Sequence, residues 1–167
     1  MYIGGSAGAE VDAGMLFNTY KEDWSLFISV DRHPVAYTTR YMAGQQVFLK
    51  YYVTSDNNVV IQATGYDVNG DKNTYIKRAK AEGWRVDGTN CCLKRVTTIS
   101  QNGQNLHSGS YMKNISWSNW KIGTSSTKNA DWSTKDTQVN VVYPSAVYAK
   151  YSMTNHANDT VSILYNN

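Results

Sequence analysis

Strict alternation of apolar and polar residues recurs along this chain, and it restricts the fold more than any other feature. In "WSLFISV", Trp24, Leu26, Ile28 and Val30 share one face while Ser25, Phe27 and Ser29 take the other. "QVFLKYYV" sets Val47, Leu49, Tyr51 and Val53 inward and turns Phe48, Lys50 and Tyr52 outward. After the turn "SDNN", "VVIQATGY" reads as the hairpin partner, with Val59, Ile61 and Ala63 on the core side. Further strands are expected at "CLKRVTTIS", "GSYMKNISW", "TQVNVVY", "AVYAKYSM" and "TVSILY", the last two joined by the polar turn "TNHAND". About ten strands at this spacing predict an all-β chain, an antiparallel two-sheet β-sandwich with jelly-roll topology. One segment breaks the pattern. "NTYIKRAKAEGW" has helix formers behind Asn73 as a cap and Gly83 as a stop, and it predicts a short helix over 74–82.

The 167 residues suit one domain running from 1 to 167, with no linker or internal repeat to divide it. Sixteen basic residues against thirteen acids give a net charge of +3 with both signs dispersed. That pattern argues against a nucleic-acid partner, which calls for a clustered basic footprint. No apolar run approaches the ~18 residues of a membrane span, so membrane insertion is not expected. Charged residues make up only 17% of the chain, while Tyr, Asn, Ser, Thr and Gly are abundant, a composition common in extracellular β-proteins. The start "MYIGGSAGAE" carries neither the basic region nor the apolar stretch of a signal peptide, so a secreted chain of this kind implies a leader removed ahead of Met1. Cys91 and Cys92 are neighbours, about 3.8 Å apart at Cα, below the ~4.4–6.8 Å of an ordinary disulfide. On a strand they face opposite ways, one thiol packing inward and one facing out.

Three groups of residues could carry chemistry. In "AEVDAGM", Glu10 and Asp12 project together from one face of a strand, opposite Ala9, Val11, Ala13 and Met15, and both are candidates for catalysis and for ligand binding. "DVNGDKN" puts oxygen ligands at alternate positions, Asp67, Asn69 and Asp71, as a calcium loop does. Lys72 and Arg78, however, fall where such a loop needs its Gly and its closing carboxylate, which favours a plain Asn-Gly turn and no bound metal or other cofactor. The aromatic group comprises Trp117 and Trp120 in "SWSNW" with Trp84 and Trp132 near loop-like segments, and Tyr52 and Tyr148 on strand faces beside lysines. Exposed rings next to hydroxyls and amides form a platform on which a sugar stacks its CH groups. Tyr52, Trp117 and Trp120 are accordingly the expected stacking surfaces, and a polysaccharide or other glycan is the expected partner. His33, His107 and His156 are scattered and indicate neither a hydrolase triad nor a zinc helix.

"AEVDAGM" also resembles the catalytic strand of the glucanases built on the concanavalin A-like jelly roll, whose pattern is Glu-x-Asp-x-(x)-Glu. The resemblance implies a nucleophile at Glu10 and a tuning acid at Asp12, but the acid/base position falls on Gly14 or Met15, which cannot serve. Three further stretches, "YIKRAKAEGWRVDGTNC", "LKRVTTISQ" and "SGSYMKNISWSNWKIG", resemble secreted Bacillus-type proteins of the YrpD kind. That resemblance implies an extracellular bacterial β-sandwich and leaves its activity open. The expectation is a secreted carbohydrate-binding or cell-surface interaction module. The alternatives are a polysaccharide hydrolase or lyase with Glu10 and Asp12 in its groove, and a structural domain of a larger secreted protein.

Overall fold

A computed structural model of the protein describes residues 1–34, 39–99, 111–124, 129–132, 149–155 and 157–164. No helix occurs among them. They divide into two compact units, Met1–Val96 and Thr97–Asn167. The strand expected at "TQVNVVY", the first residues of "AVYAKYSM", Tyr148, His107 and His156 lie outside the described residues.

The first unit is a two-layer antiparallel sandwich, and alternation is what builds it. One sheet contains β1 (Tyr2–Ser6), β2 (Glu10–Asn18), β3 (Asp23–Val30), β4 (His33–Pro34), β5 (Arg40–Met42) and β9 (Cys92–Val96). Its order is β4-β3-β2-β1-β9, with β5 also pairing β3. The other sheet is the meander of β6 (Phe48–Val53), β7 (Asn58–Tyr66) and β8 (Lys72–Lys80). Val11, Ala13, Met15, Leu26 and Ile28 from the first sheet meet Val59, Ile61 and Ala63 from the second in one buried cluster, with Leu49, Tyr51, Tyr75 and Leu93 packed at its edges. Burying a side chain of this size is worth roughly 1.5–3 kcal/mol, so this cluster is the main force holding the two layers together. Trp84, 1% exposed, fills the end of the core from the loop after β8. Its indole nitrogen donates to the Ala9 carbonyl at 2.9 Å, and its ring meets Tyr51 edge-on.

The helix expected over 74–82 is a strand. Residues 72–80 pair with β7 along its whole length, from Asn58 opposite Lys80 to Tyr66 opposite Lys72. Asn73, Tyr75, Lys77 and Ala79 are half-buried while Lys72, Thr74, Ile76, Arg78 and Lys80 are exposed, a period of two that no helix shows. Thr74, Tyr75 and Ile76 are β-branched or aromatic, and a nine-residue ladder outweighs the weak helix preference of the lysines around them. Asn73, the expected cap, donates its side-chain amide to Asp67 in the β7–β8 turn.

In the second unit, β10 (Tyr111–Trp117), β14 (Asn158–Leu164) and β13 (Ala149–Asn155) form a sheet in that order. β11 (Lys121–Ile122) pairs with β12 (Ala130–Asp131) in a short ribbon. A register shift between Met112 and Ile115 coincides with Asn114 at φ 54°, the mark of a bulge.

Candidate functional site

Glu10 and Asp12 stand on the outer face of the six-stranded sheet, half-buried, where β1 separates them from β9. Register places Gly4 of β1 between Asp12 of β2 and Lys94 of β9. A Cβ at Gly4 would lie 2.6 Å from Lys94 Cε and closer still to Asp12 Oδ1, so the missing side chain is what lets the two meet over the strand. Lys94 Nζ lies 3.3 Å from Asp12 Oδ1 and 3.4 Å from Glu10 Oε1. Glu10 also pairs with the exposed Arg32 at 3.5 Å. The Lys94 ammonium sits 5.6 Å from the centre of the Tyr2 ring, which meets Phe27 edge-on. Burial alone would lower the lysine's pKa. The charge and hydrogen bond of Asp12, the Tyr2 phenol and the Glu10 hydrogen bond together outweigh it, and the group is held above its usual value. Burial and the Asp12 charge together push the Tyr2 phenol up, against the pull of Lys94.

A shallow groove of about 350 Å³ runs beside this cluster, lined by Gly5, Ser6, Glu10, Cys92, Leu93 and Lys94. Retaining glycoside hydrolysis needs one protonated and one ionised carboxyl about 5–5.5 Å apart with substrate between them. Here one ammonium is shared between the two carboxylates. Cys92 is exposed beside the groove, while Cys91 turns inward and packs against the core. Burial, with Cys92 next to it, pushes the Cys91 thiol up to about 11, too high for an activated nucleophile at neutral pH.

A second surface lies on the outer face of the three-stranded sheet. The faces fixed by the register are Phe48, Lys50 and Tyr52 on β6, Asn58, Val60, Gln62, Thr64 and Tyr66 on β7, and Lys72, Thr74, Ile76, Arg78 and Lys80 on β8. Phe48 is 63% and Tyr66 45% exposed and Ile76 is also open to solvent, while Tyr52 is half-buried and Val60 on the central strand is buried. The Lys50 ammonium sits 5.0 Å from the centre of the Tyr52 ring. The Thr64 and Thr74 hydroxyls meet at 2.8 Å.

Within the first unit the expected site residues fall on two separate faces. Glu10 and Asp12 belong to one sheet of the first unit, Tyr52 to the outer face of the other. Trp117 and Trp120 belong to the second unit, where they pack edge-on, and Trp120 also meets Trp132. Trp117 is only 6% exposed and its indole donates to Thr97 Oγ1 at 2.7 Å, so it is an interior side chain, not an open stacking surface. In the candidate calcium loop, Asp67 Oδ1 accepts from the backbone of Asn69 at 2.8 Å and of Asp71 at 3.2 Å, and Oδ2 accepts from the Asn73 amide. Its carboxylate closes the β7–β8 turn. No group of three His, Cys, Asp or Glu side chains among the described residues is placed to hold a metal ion. Lys94 and Gly4 escape sequence reasoning, since nothing local links them to Glu10. Lys72, Arg78 and Lys80 are missed because a helix would scatter them, whereas a strand puts all three on one face.

No family model matches the sequence, and no curated protein matches it. In fold the chain is similar to the crystal structure of aspergilloglutamic peptidase from Aspergillus niger, with a TM-score of 0.59 and 12% identity over 98% of this chain and 96% of that chain. At that identity the likeness is one of fold, and it agrees with the β-sandwich class.

Proposed function

We propose that the protein is a secreted carbohydrate-binding module whose ligand lies along the outer face of the β6-β7-β8 sheet. One observation carries this reading: Phe48, Tyr52 and Tyr66 share a sheet face with Asn58, Gln62, Thr64 and Thr74. The exposed Phe48 and Tyr66 rings and the half-buried Tyr52 ring offer π faces to the CH groups of a pyranose, and amides and hydroxyls between them match its hydroxyls as both donors and acceptors. A sheet face open to solvent suits a polymer better than an enclosed small molecule. Binding to a glycan array tests the reading, with Phe48→Ala and Tyr52→Ala as companions. Retention of glycans by the wild type and loss by both variants supports it. Absence of any glycan signal, with and without calcium, removes it.

A second reading, hydrolysis at Glu10, draws support from the fold likeness to a glutamic peptidase and from the Glu10–Asp12 pair beside a groove. It is the weaker of the two because Lys94 engages both carboxylates. Release of peptides from casein or of reducing sugar from glucan, abolished by Glu10→Gln, would raise it above the first.

A further inference from the structure

We infer that the polymer bound on the β6-β7-β8 face is an acidic polysaccharide, one bearing carboxylate or sulfate groups along its length. The inference rests on the glycan-binding reading and adds the charge class of the ligand. Lys50, Lys72, Arg78 and Lys80 all project from this face, and all four are exposed. None of them is in an ion pair among the described residues. The three strands contain no Asp or Glu, so the face carries four positive charges and no negative one. Acids lie only in the flanking turns. The Asp56 carboxylate accepts from Thr54 and from the Asn58 amide, Asp67 is closed into its own turn, Asp71 is exposed at the tip beyond Lys72, and Glu82 is exposed two residues past Lys80. The other sheet of the first unit differs, with Glu10 and Asp12 set among Lys94 and Arg32 on its outer face.

The layout distinguishes among anionic polymers. Cations flank the sheet, Lys50 on β6 and the other three on β8, while the central strand offers neutral groups, Asn58, Gln62 and Thr64. Same-face residues repeat at about 7 Å along a strand, which puts Arg78 and Lys80 one step apart and Lys72 about 20 Å from Arg78. Along a duplex each nucleic-acid strand presents a phosphate every ~3.4 Å of helix axis and needs a denser row of cations. Phe48 and Tyr52 stand roughly 14 Å apart, too far to stack consecutive bases of one strand. Sparse charges, spaced rings and hydroxyl-matching groups between them fit a sugar chain with intermittent anions. The Arg78 guanidinium adds a planar fork that matches either a carboxylate or a sulfate.

Affinity electrophoresis of the intact chain through gels containing polygalacturonate, chondroitin sulfate or a neutral β-glucan tests this, alongside a fluorescent thymidine oligonucleotide read by anisotropy. The expected result is retardation by at least one of the two acidic polymers, which separately report carboxylate and sulfate, weakened about tenfold as salt screens the contacts. The double variant Arg78→Glu and Lys80→Glu changes two exposed positions of β8, the edge of its sheet among the described residues. With its far-UV circular dichroism unchanged, it should lose acidic-polymer affinity by at least about tenfold, more than it loses on neutral glucan. Equal retention by neutral and acidic gels, unaffected by charge reversal, overturns the charge class and leaves the glycan reading standing. Failure of all three gels overturns both. Tighter binding of the oligonucleotide than of any polysaccharide overturns the inference in favour of a nucleic-acid surface.

Discussion

At the scale of single residues, two adjacent glycines in β1 do different work. Gly4 faces outward, where an added Cβ would press chiefly on Asp12 Oδ1 and Lys94 Cε, both near the ends of movable side chains, and less closely, at 3.1 Å, on the Val11 carbonyl. Gly5 faces the core, where a Cβ would run into the Cys92 carbonyl of β9 and sit 3.0 Å from Trp84 Cη2. Side chains can yield, and a backbone held in a ladder cannot. Gly4→Ala should therefore cost less than about 1 kcal/mol, the scale of a surface ion pair. Gly5→Ala should cost about 1–3 kcal/mol, the scale of overpacking. Urea denaturation at neutral pH reads both, and equal losses would contradict the assignment of faces. The pairing of Glu10 with Asp12 on one face was legible in the sequence because two residues of one strand share a face by geometry alone. Lys94 was not, because it lies 84 residues from Glu10, and alternation reports which way a side chain faces without reporting which strand lies alongside.

At the scale of elements, alternation located β2, β3, β6, β7 and β14 close to where they lie, since each carries a clean apolar face, and β10 despite the bulge that breaks its alternation. β8 was misread for a physical reason. Its inward face is Asn73, Tyr75, Lys77 and Ala79, which is only half apolar, so the period-two signal is faint and the lysines and alanines suggest a helix instead. The turn ahead of it has its own energetics. Burial alone would raise the Asp67 carboxyl, but the backbone donors of Asn69 and Asp71 and the Asn73 amide outweigh it and hold its pKa below the ordinary value. A carboxyl depressed in the folded state contributes its stability fully above the unfolded value of about 3.9, and loses it as pH falls through the lower folded value. Asp67→Asn keeps one acceptor oxygen and abolishes the charge. It should be less stable than wild type at pH 7, and its stability should fall less steeply between about pH 5 and pH 2. Urea midpoints across that range decide the matter. Parallel acid slopes for the two proteins would mean that the turn does not depend on the Asp67 charge.

At the scale of the whole molecule, the core cluster that joins the two sheets of the first unit draws, among the described residues, only on residues before 97. Its strands close on themselves: β9, the last of them, pairs with β1, the first, through a register running from Tyr2 opposite Val96 to Ser6 opposite Cys92. Trp84 seals one end of that core with a hydrogen bond back to Ala9. A segment with its own closed core and with both of its ends in one sheet has what independent folding requires, and its length is within the usual range for a domain. Residues 1–96 expressed alone should therefore give a β-type circular dichroism spectrum, a blue-shifted tryptophan emission from Trp84, and a single cooperative urea transition. Trp24 also emits from this fragment, so the shift should be read against Trp84→Phe, which removes the buried indole and leaves the half-buried one. A fragment that binds a hydrophobic dye and melts without cooperativity would show that the core needs the rest of the chain to close.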